Sequence, residues 1–248
     1  MLEGLNSAAS GMAAQQQRLD SVANDLANAN TTGYKHGRVG FRDLMYEQAG
    51  RPAADGVRPG HGAAAVDAGK SFGQGVLQRT DRPLDVAIQG EGFLRIKLQG
   101  GRDALTRDGN LQIDGLGRLA TNTGALILGG RGPISIPKGT PESEVAIGGD
   151  GTVTAAGRRV GKLALVTVRS PQALTPIGDN AFQPSAASGA VGPAPRATKL
   201  TQGALEASNV DMATAMVSMI ESQRAFELAS KAIHTADQMW EIANGVKR

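Results

Sequence analysis

Large apolar residues recur every seventh position at both ends of the chain and every second position in between. At the N-terminal end Leu5, Met12, Leu19 and Leu26 are spaced by seven, and Ala8, Gln15, Val22 and Ala29 fill the position three later. This is the a/d seam of a helix packed on another helix, sustained over four repeats. Gln15 is polar at a seam position, the kind of residue that fixes register at some cost in stability. Gly33 is placed to end the helix as its C-terminal cap. At the other end Ser208 is an N-cap candidate, with Asp211 at the capping-box spacing. Met212, Met219, Phe226, Ile233 and Trp240 then follow at intervals of seven, and Ala215, Ser222, Ala229, Ala236 and Ala243 hold the companion position. One side of this seam is large and the other small, as in a close helix–helix contact.

The middle of the chain changes period. In "LDVAIQGEGFLRIKL" (84–98), Leu84, Val86 and Ile88 alternate, a Gly90-Glu91-Gly92 break follows, and Leu94, Ile96 and Leu98 alternate again. That reads as strand, turn, strand. "RDGN" (107–110), "NTG" (122–124) and "GGDG" (148–151) supply further turns, and "KLALVTV" (162–168) another strand. Two stretches carry no clear period. Residues 49–75 are rich in glycine and poor in large apolar side chains, and residues 171–195 hold Pro171, Pro176, Pro184, Pro193 and Pro195. Both are expected to be extended or mobile. The fold class is α+β: long N- and C-terminal helices pairing as a coiled-coil core around a central all-β domain. The expected division is a helical domain from 1–34 with 208–248, an extended linker or stiffening segment at 35–75, and a β-rich outer domain at 76–207.

This layout poses a physical problem. A C-terminal helix of about 36 residues is about 54 Å long, whereas a compact domain of about 130 residues has a radius of gyration of about 14 Å. The β domain cannot cover such a helix along its length. A helix pair leaves other faces open, and those faces hold Ala, Gln, Met and Ser, as in "AASGMAAQQQ" (8–17) and "AMVSMIESQ" (215–223). They suit further helices, and the natural source is other copies of the chain; a self-complementary contact that does not close gives a filament or tube. Isolated helices of this composition are marginal in water, so the ends are expected to order on assembly. Leu5, Met12, Leu19, Val22 and Leu26 are expected to pack with Met212, Met219, Phe226, Ile233 and Trp240. Asn24 and Asn28, one helical turn apart in "NDLANANTTGYK" (24–35), are candidates to fix register through their amides. The same asparagines also suit a solvated, fraying helix end.

Composition removes several function classes. The 248 residues carry 26 Lys plus Arg against 23 Asp plus Glu, a net charge of +3, and aromatics are 3%. A single-strand nucleic-acid binder needs a basic groove with stacking rings, and neither is visible. With no cysteine, disulfides and thiolate metal sites are excluded. Residues 1–20 lack the basic start and apolar core of a secretory signal peptide, and no run approaches the roughly 20 apolar residues of a membrane span. "AAAVDAGKS" (63–71) imitates a phosphate-binding loop, but Ala64 stands where the first glycine belongs and "FGQGVL" after it is no helix start. His36, His61 and His234 lie in three separate regions without metal-ligand spacing. There is no G-x-S-x-G elbow, and carboxylates such as Asp81, Asp85 and Glu91 are expected to face water at strand edges. No enzymatic activity and no cofactor are expected.

The motifs also carry a specific resemblance. "SGMAAQQQRLDSVANDLANANTTGYK" near the N-terminus, "LEASNVDMATAMVSMIESQRAFELASKAI" near the C-terminus, and "RPLDVAIQGEGFLRI" with "LTRDGNLQIDGLGRLATNTGALILG" between them resemble the bacterial flagellar rod and hook axial proteins. The likeness runs in order over nearly the whole chain. It implies a structural subunit of the basal-body rod: copies stack helically into a hollow shaft that transmits torque and lets export substrates pass, with terminal helices inside and the β domain outside. It further implies export through the flagellar type III apparatus without a cleaved signal, and a location in the basal body within the cell envelope. The implied partners are copies of the chain, other rod proteins, the hook protein and bushing-ring proteins. At 248 residues the chain is rod-sized rather than hook-sized. "GMAAQQQ", "FRDLMYE" and "GVRPG" (56–60) look more like the distal rod branch, while "GPISIPKG" (132–139) and "VGKLALV" (160–166) also suit the proximal one. The alternatives are a hook or junction-type axial protein and a coiled-coil adaptor that never polymerises. The adaptor would need charged e/g flanks for pairing specificity, where this chain has mostly Ala, Ser and Gln.

Overall fold

The computed structural model describes residues 2–44 and 62–245. The chain is α+β, with one helix at each end and a mostly β region between. It divides into two compact units. One holds the terminal helices and the ribbon up to Ala68; the other holds residues 28–36 and 69–210.

The helical unit contains α1 (Leu2–Ala27) and α2 (Met212–Gly245), which pack on each other. Its two-stranded ribbon is β1 (Gly37–Asp43) with β2 (Ala63–Lys70). The buried Asp25 carboxylate near the end of α1 accepts the Gly37 N–H at 3.0 Å, fixing where β1 begins. Two expected caps differ. α2 is capped by Asp211, not Ser208: Asp211 Oδ1 accepts the Ala213 N–H at 3.0 Å and Oδ2 the Thr214 hydroxyl at 2.9 Å. A carboxylate next to the first turn offers two acceptors at once, whereas Ser208 Oγ accepts the Val210 N–H at 3.3 Å ahead of the helix. α1 stops at Ala27, well short of Gly33, so Asn28 is a turn residue and not a second helix-face amide; its Oδ1 accepts the Thr31 hydroxyl at 3.2 Å. The phosphate-loop imitation forms strand β2, which has no loop to cradle an anion.

The β unit opens with β3 (Leu77–Arg79), β4 (Val86–Gln89), β5 (Phe93–Lys97), β6 (Asp103–Thr106), β7 (Leu111–Ile113), β8 (Leu119–Thr121), β9 (Leu126–Gly129) and β10 (Gly132–Pro133). It continues with β11 (Val145–Ile147), β12 (Thr152–Ala155), β13 (Arg158–Lys162) and β14 (Leu165–Thr167). β15 (Thr175–Gly178), β16 (Ala181–Gln183), β17 (Gly192–Pro193), β18 (Lys199–Gln202) and β19 (Ala204–Glu206) complete it. The largest sheet has the order β15-β16-β6-β5-β9-β8-β7, with β10 on β9, β14 on β5 and β17 on β14; β11-β12-β13 form a separate antiparallel sheet. The proline-rich stretch at 171–195, expected to be extended or mobile, is folded. It supplies β15, β16 and β17, and Phe182 of β16 joins Phe93, Leu105, Val168 and Leu174 in a small core with Phe72 at its edge. The Phe72 ring meets Phe182 edge-on at 5.1 Å and Phe93 at 5.2 Å, a geometry that adds to burial. The main core takes Val86, Ile88, Leu94, Ile96, Leu111, Leu119, Ile127 and Val153. β5 thus serves two cores, with Leu94 and Ile96 in one and Phe93 in the other, as strand alternation requires. The two strands of "LDVAIQGEGFLRIKL" do not pair with each other: β4 pairs with β18, and β5 with β6, β9 and β14.

The last strands return to the first. β18 pairs antiparallel with β4 and β19 with β3, which brings Glu206 beside the segment 32–36. There the two run side by side: the Gly33 N–H donates to the Glu206 carbonyl at 2.8 Å and the Asn209 N–H to the Tyr34 carbonyl at 3.4 Å. Between them lies a buried charge cluster. Glu206 Oε1 accepts from Lys35 Nζ at 2.5 Å, the Gly75 N–H at 2.9 Å and Arg107 Nη1 at 3.2 Å. Lys35 also donates to the Gly73 carbonyl at 2.7 Å, and Arg107 to the carbonyls of Gly92, at 3.0 Å, and Gly90. All three side chains are excluded from water. Loss of hydration therefore pushes the Lys35 ammonium below its ordinary range, with the Glu206 charge opposing. Asn209 completes the junction. Its Oδ1 accepts the His36 N–H at 2.9 Å, and its Nδ2 donates to the carbonyls of Ser71 and Gly73 at 2.8 and 3.1 Å.

Gly33 and Gly109 are fixed by close approach. Gly33 has φ +68°, and a Cβ there would lie 2.8 Å from the Asp108 nitrogen; one at Gly109 would lie 1.6 Å from the Val86 carbonyl oxygen. Asp85, expected at the surface, is buried and accepts the Thr80 hydroxyl at 2.7 Å. The return of β18 beside β4 covers it.

Glu206→Gln leaves two buried cations without their carboxylate. It should destabilise the β unit by about 3–5 kcal/mol, read as a lower urea midpoint, and a Lys35→Met/Glu206→Gln cycle should show strong coupling. Gly33→Ala should cost about 1–3 kcal/mol through its left-handed backbone alone, before the clash with Asp108 is added. The Asp211 carboxylate, held below the usual range first by the Thr214 hydroxyl, gives a pH signature. Its folded pKa lies below the unfolded value of about 3.9, so its contribution is full above that value and is lost as pH falls through the folded one. Circular dichroism should show acid loss of α2 helicity that Asp211→Ala removes, leaving a lower, flatter helicity.

Candidate assembly surface

The helical unit shows which positions its own fold uses and which it leaves open. On α2 the positions turned from water are mainly small: Ser222 is 1% exposed, and Ala215, Ser218, Ala225, Ala229, Ser230 and Ala236 are half-buried. Small side chains let helix backbones approach, and Ser222 meets its own hydroxyl requirement by donating to the Ser218 carbonyl at 2.8 Å. On α1 the most buried apolar residue is Ala14, at 2%. Small residues are thus the most deeply buried positions of both helices among the described residues.

The predicted seam residues divide accordingly. Leu5, Met12, Leu19, Val22 and Leu26 on α1 are half-buried, as are Met219 and Ile233 on α2. Met212, Phe226 and Trp240 are exposed. Asn24 is exposed at the end of α1, and Asn28 is half-buried in the turn that follows. The exposed set extends beyond the heptad: Met216, Val217, Ile220, Leu228, Met239 and Ile242 on α2 are also open to solvent. Burying such a side chain fully is worth about 1.5–3 kcal/mol. A run of exposed large apolar side chains of this kind marks a candidate interaction surface. The regular spacing of seven marks Phe226 and Trp240; Leu228 and Ile242 fall off the heptad and carry no such signal.

Polar groups set the edges of this surface. Arg18 on α1 lies 3.6 Å from Glu221 on α2 and stacks over the Phe41 ring of β1 at 6.0 Å. The first contact is solvent-screened and worth little alone. Gln15, the polar seam residue, has its Oε1 buried without a hydrogen-bond partner. In a finished packing a buried amide oxygen has a donor.

No group of three His, Cys, Asp or Glu side chains among the described residues could hold a metal ion. No described helix is long and apolar enough to cross a membrane.

Comparison with known proteins identifies the family. Residues 5–35 match the family described as "Flagella basal body rod protein", 87–155 the "Flagellar hook protein FlgE/F/G D1 domain", and 201–246 the "Flagellar basal body rod FlgEFG protein C-terminal" region. The first match ends on Lys35 and the third contains Glu206 and Asn209, the two sides of the buried junction. The chain is 39% identical to the flagellar basal-body rod protein FlgG of Borreliella burgdorferi, with all of both chains covered. It is 37% identical to FlgG of Caulobacter vibrioides, over 99% of this chain and 100% of that one. It is also 36% identical to the basal-body rod protein FlgF of Caulobacter vibrioides, over 90% of this chain and 89% of that one. Matched from end to end at this identity, the chain belongs to the FlgG/FlgF family of flagellar basal-body rod proteins.

Proposed function

We propose that the chain acts as a structural subunit of the flagellar basal-body rod, with α1 and α2 forming an inner coiled-coil layer in which copies pack helically. One observation carries the reading: the α2 positions turned from water are mainly small, while Phe226, Leu228, Trp240 and Ile242 are exposed. Its fellow subunits, and other rod and hook components, are the partners that fit such a surface. The β unit then has a structural task, carried on the outside of the shaft, and no catalytic one. Within the rod we assign the chain to the distal segment, on the resemblance of its "GMAAQQQ" and "FRDLMYE" stretches. The mainly Ala, Ser and Gln flanks of both helices support multi-sided packing over a two-chain adaptor.

Substitutions on the open face separate assembly from folding. Phe226→Asp and Trp240→Asp should abolish polymer formation, read by sedimentation and by rods in basal-body preparations, while the urea unfolding free energy of the β unit stays within about 0.5 kcal/mol of the parent. Leu19→Asp and Ile233→Asp should abolish assembly too, and should also lower the helicity of the free chain because these residues are half-buried. Normal rods in the Phe226 and Trp240 variants would refute the proposed surface.

A further inference from the structure

A charged surface of a different kind lies in the β unit, remote in sequence from both helices. The hairpin turn of β9 and β10 and the strand β13 enclose a groove of about 540 Å³. Its cations are Arg131, Arg159 and Lys162, and its floor includes Ile134. Gly130 and Gly132 line it with open backbone, since a Cβ at either would meet nothing within 4 Å. Arg131 and Arg159 are exposed and form no ion pair with any described residue. Lys162 reaches Asp150 at 3.7 Å, a long contact between exposed groups. The groove is therefore an under-neutralised basic site with an accessible main chain.

The complementary charge stands on the same sheet. β11, β12 and β13 form three antiparallel strands, and β13 carries the arginines at one edge. A one-turn helix at Glu142–Glu144 leads into β11 at the other edge, with Pro141, Glu142, Ser143 and Glu144 all exposed. Neither glutamate forms an ion pair with a described residue. Arg159 lies opposite Thr154, which lies opposite Ala146, so the edge strands are about 10 Å apart and Glu142 lies beyond the end of β11. One edge is acidic and exposed; the other is basic and concave. Such a pair of unlike surfaces on one molecule is the requirement for a head-to-tail contact, which repeats without closing.

We propose that the Glu142–Glu144 turn of one copy docks in the Arg131–Arg159–Lys162 groove of the next, giving assembled subunits a second, electrostatic contact through their β units. The inference rests on the self-assembly reading above. It gives the β unit a share in subunit registration, since opposed charges fix register and reject wrong neighbours. The contact is sensitive to ionic strength, because its groups are exposed.

The absence of cysteine in the chain allows a direct test. Two full-length variants, Glu142→Cys and Arg159→Cys, each distinguished by a tag of different size, are mixed, polymerised and oxidised. A covalent heterodimer that forms in the polymer, and that neither variant yields alone, is the expected result. Polymer without heterodimer overturns the proposed contact, whereas failure of the unsubstituted chain to polymerise overturns the self-assembly reading itself. Charge reversal gives an independent reading. Glu142→Lys/Glu144→Lys and Arg131→Glu/Arg159→Glu should each raise the concentration needed for polymer about tenfold at low salt, and mixing the two variants should restore part of the loss. If the arginine reversal leaves polymer unchanged and abolishes binding to vesicles of anionic lipid, the groove serves an anionic surface and the copy-to-copy contact is overturned.

Discussion

The β unit depends on one buried cluster in which Glu206 accepts from Lys35, Arg107 and the Gly75 amide through a single oxygen. Three charges out of water are costly unless each is paired, and here pairing is dense enough to hold them. The cluster ties together the chain segment that follows α1 and the one that precedes α2. Around it Gly33 donates to the Glu206 carbonyl, Asn209 caps His36, and Thr32 bonds Asp108 at 3.0 Å. The cost of desolvation is the source of specificity: any other register leaves a cation or a carboxylate buried alone. Glu206 Oε2 has no hydrogen-bond partner, so even in the native register one acceptor is unmet, and the cluster has little tolerance for further loss.

The helices follow a different physical rule. Alanine and serine are their most buried positions; these residues let backbones approach but bury little area each. Several large apolar side chains of α2, among them Phe226, Leu228, Trp240 and Ile242, stay exposed, while Leu5, Met12, Leu19, Met219 and Ile233 are half-buried. A chain arranged this way gains modestly from pairing its own helices and much more from adding neighbours. The same division explains how one chain satisfies two demands. The β unit holds itself together through two cores and long-range strand pairing, while the helical unit leaves large apolar side chains exposed. Under the proposed contact, the charged edges of the β11–β13 sheet would extend the same logic to the β unit.

Much of this was legible in the residues. The spacing of seven located both helices, and alternation located β4, β5 and β14, because a side chain's face follows directly from 3.6 or 2.0 residues per repeat. The long signatures at both ends and in the middle placed the chain in its family. Lys35, Arg107 and Glu206 carried no such signal. A lone lysine after "TTGY" and a glutamate before "ASNVD" look like surface charges, and only the return of β18 and β19 beside β4 and β3 puts them together. Asp85 was misread for the same reason. The proline-rich stretch at 171–195 lacked a period, yet Phe182 anchors it in a core assembled from residues far apart in the chain.

The sequence by itself determined element type, the two-helix and β division, the family, and the apolar character of the helical surface, since these depend on local periodicity and composition. Tertiary structure decided which side of α2 meets α1, why Gly33 and Asn209 stand where they do, and which charges are buried. Those are properties of pairs distant in sequence, and their energies exist only once the chain has brought the partners within contact and excluded water from between them.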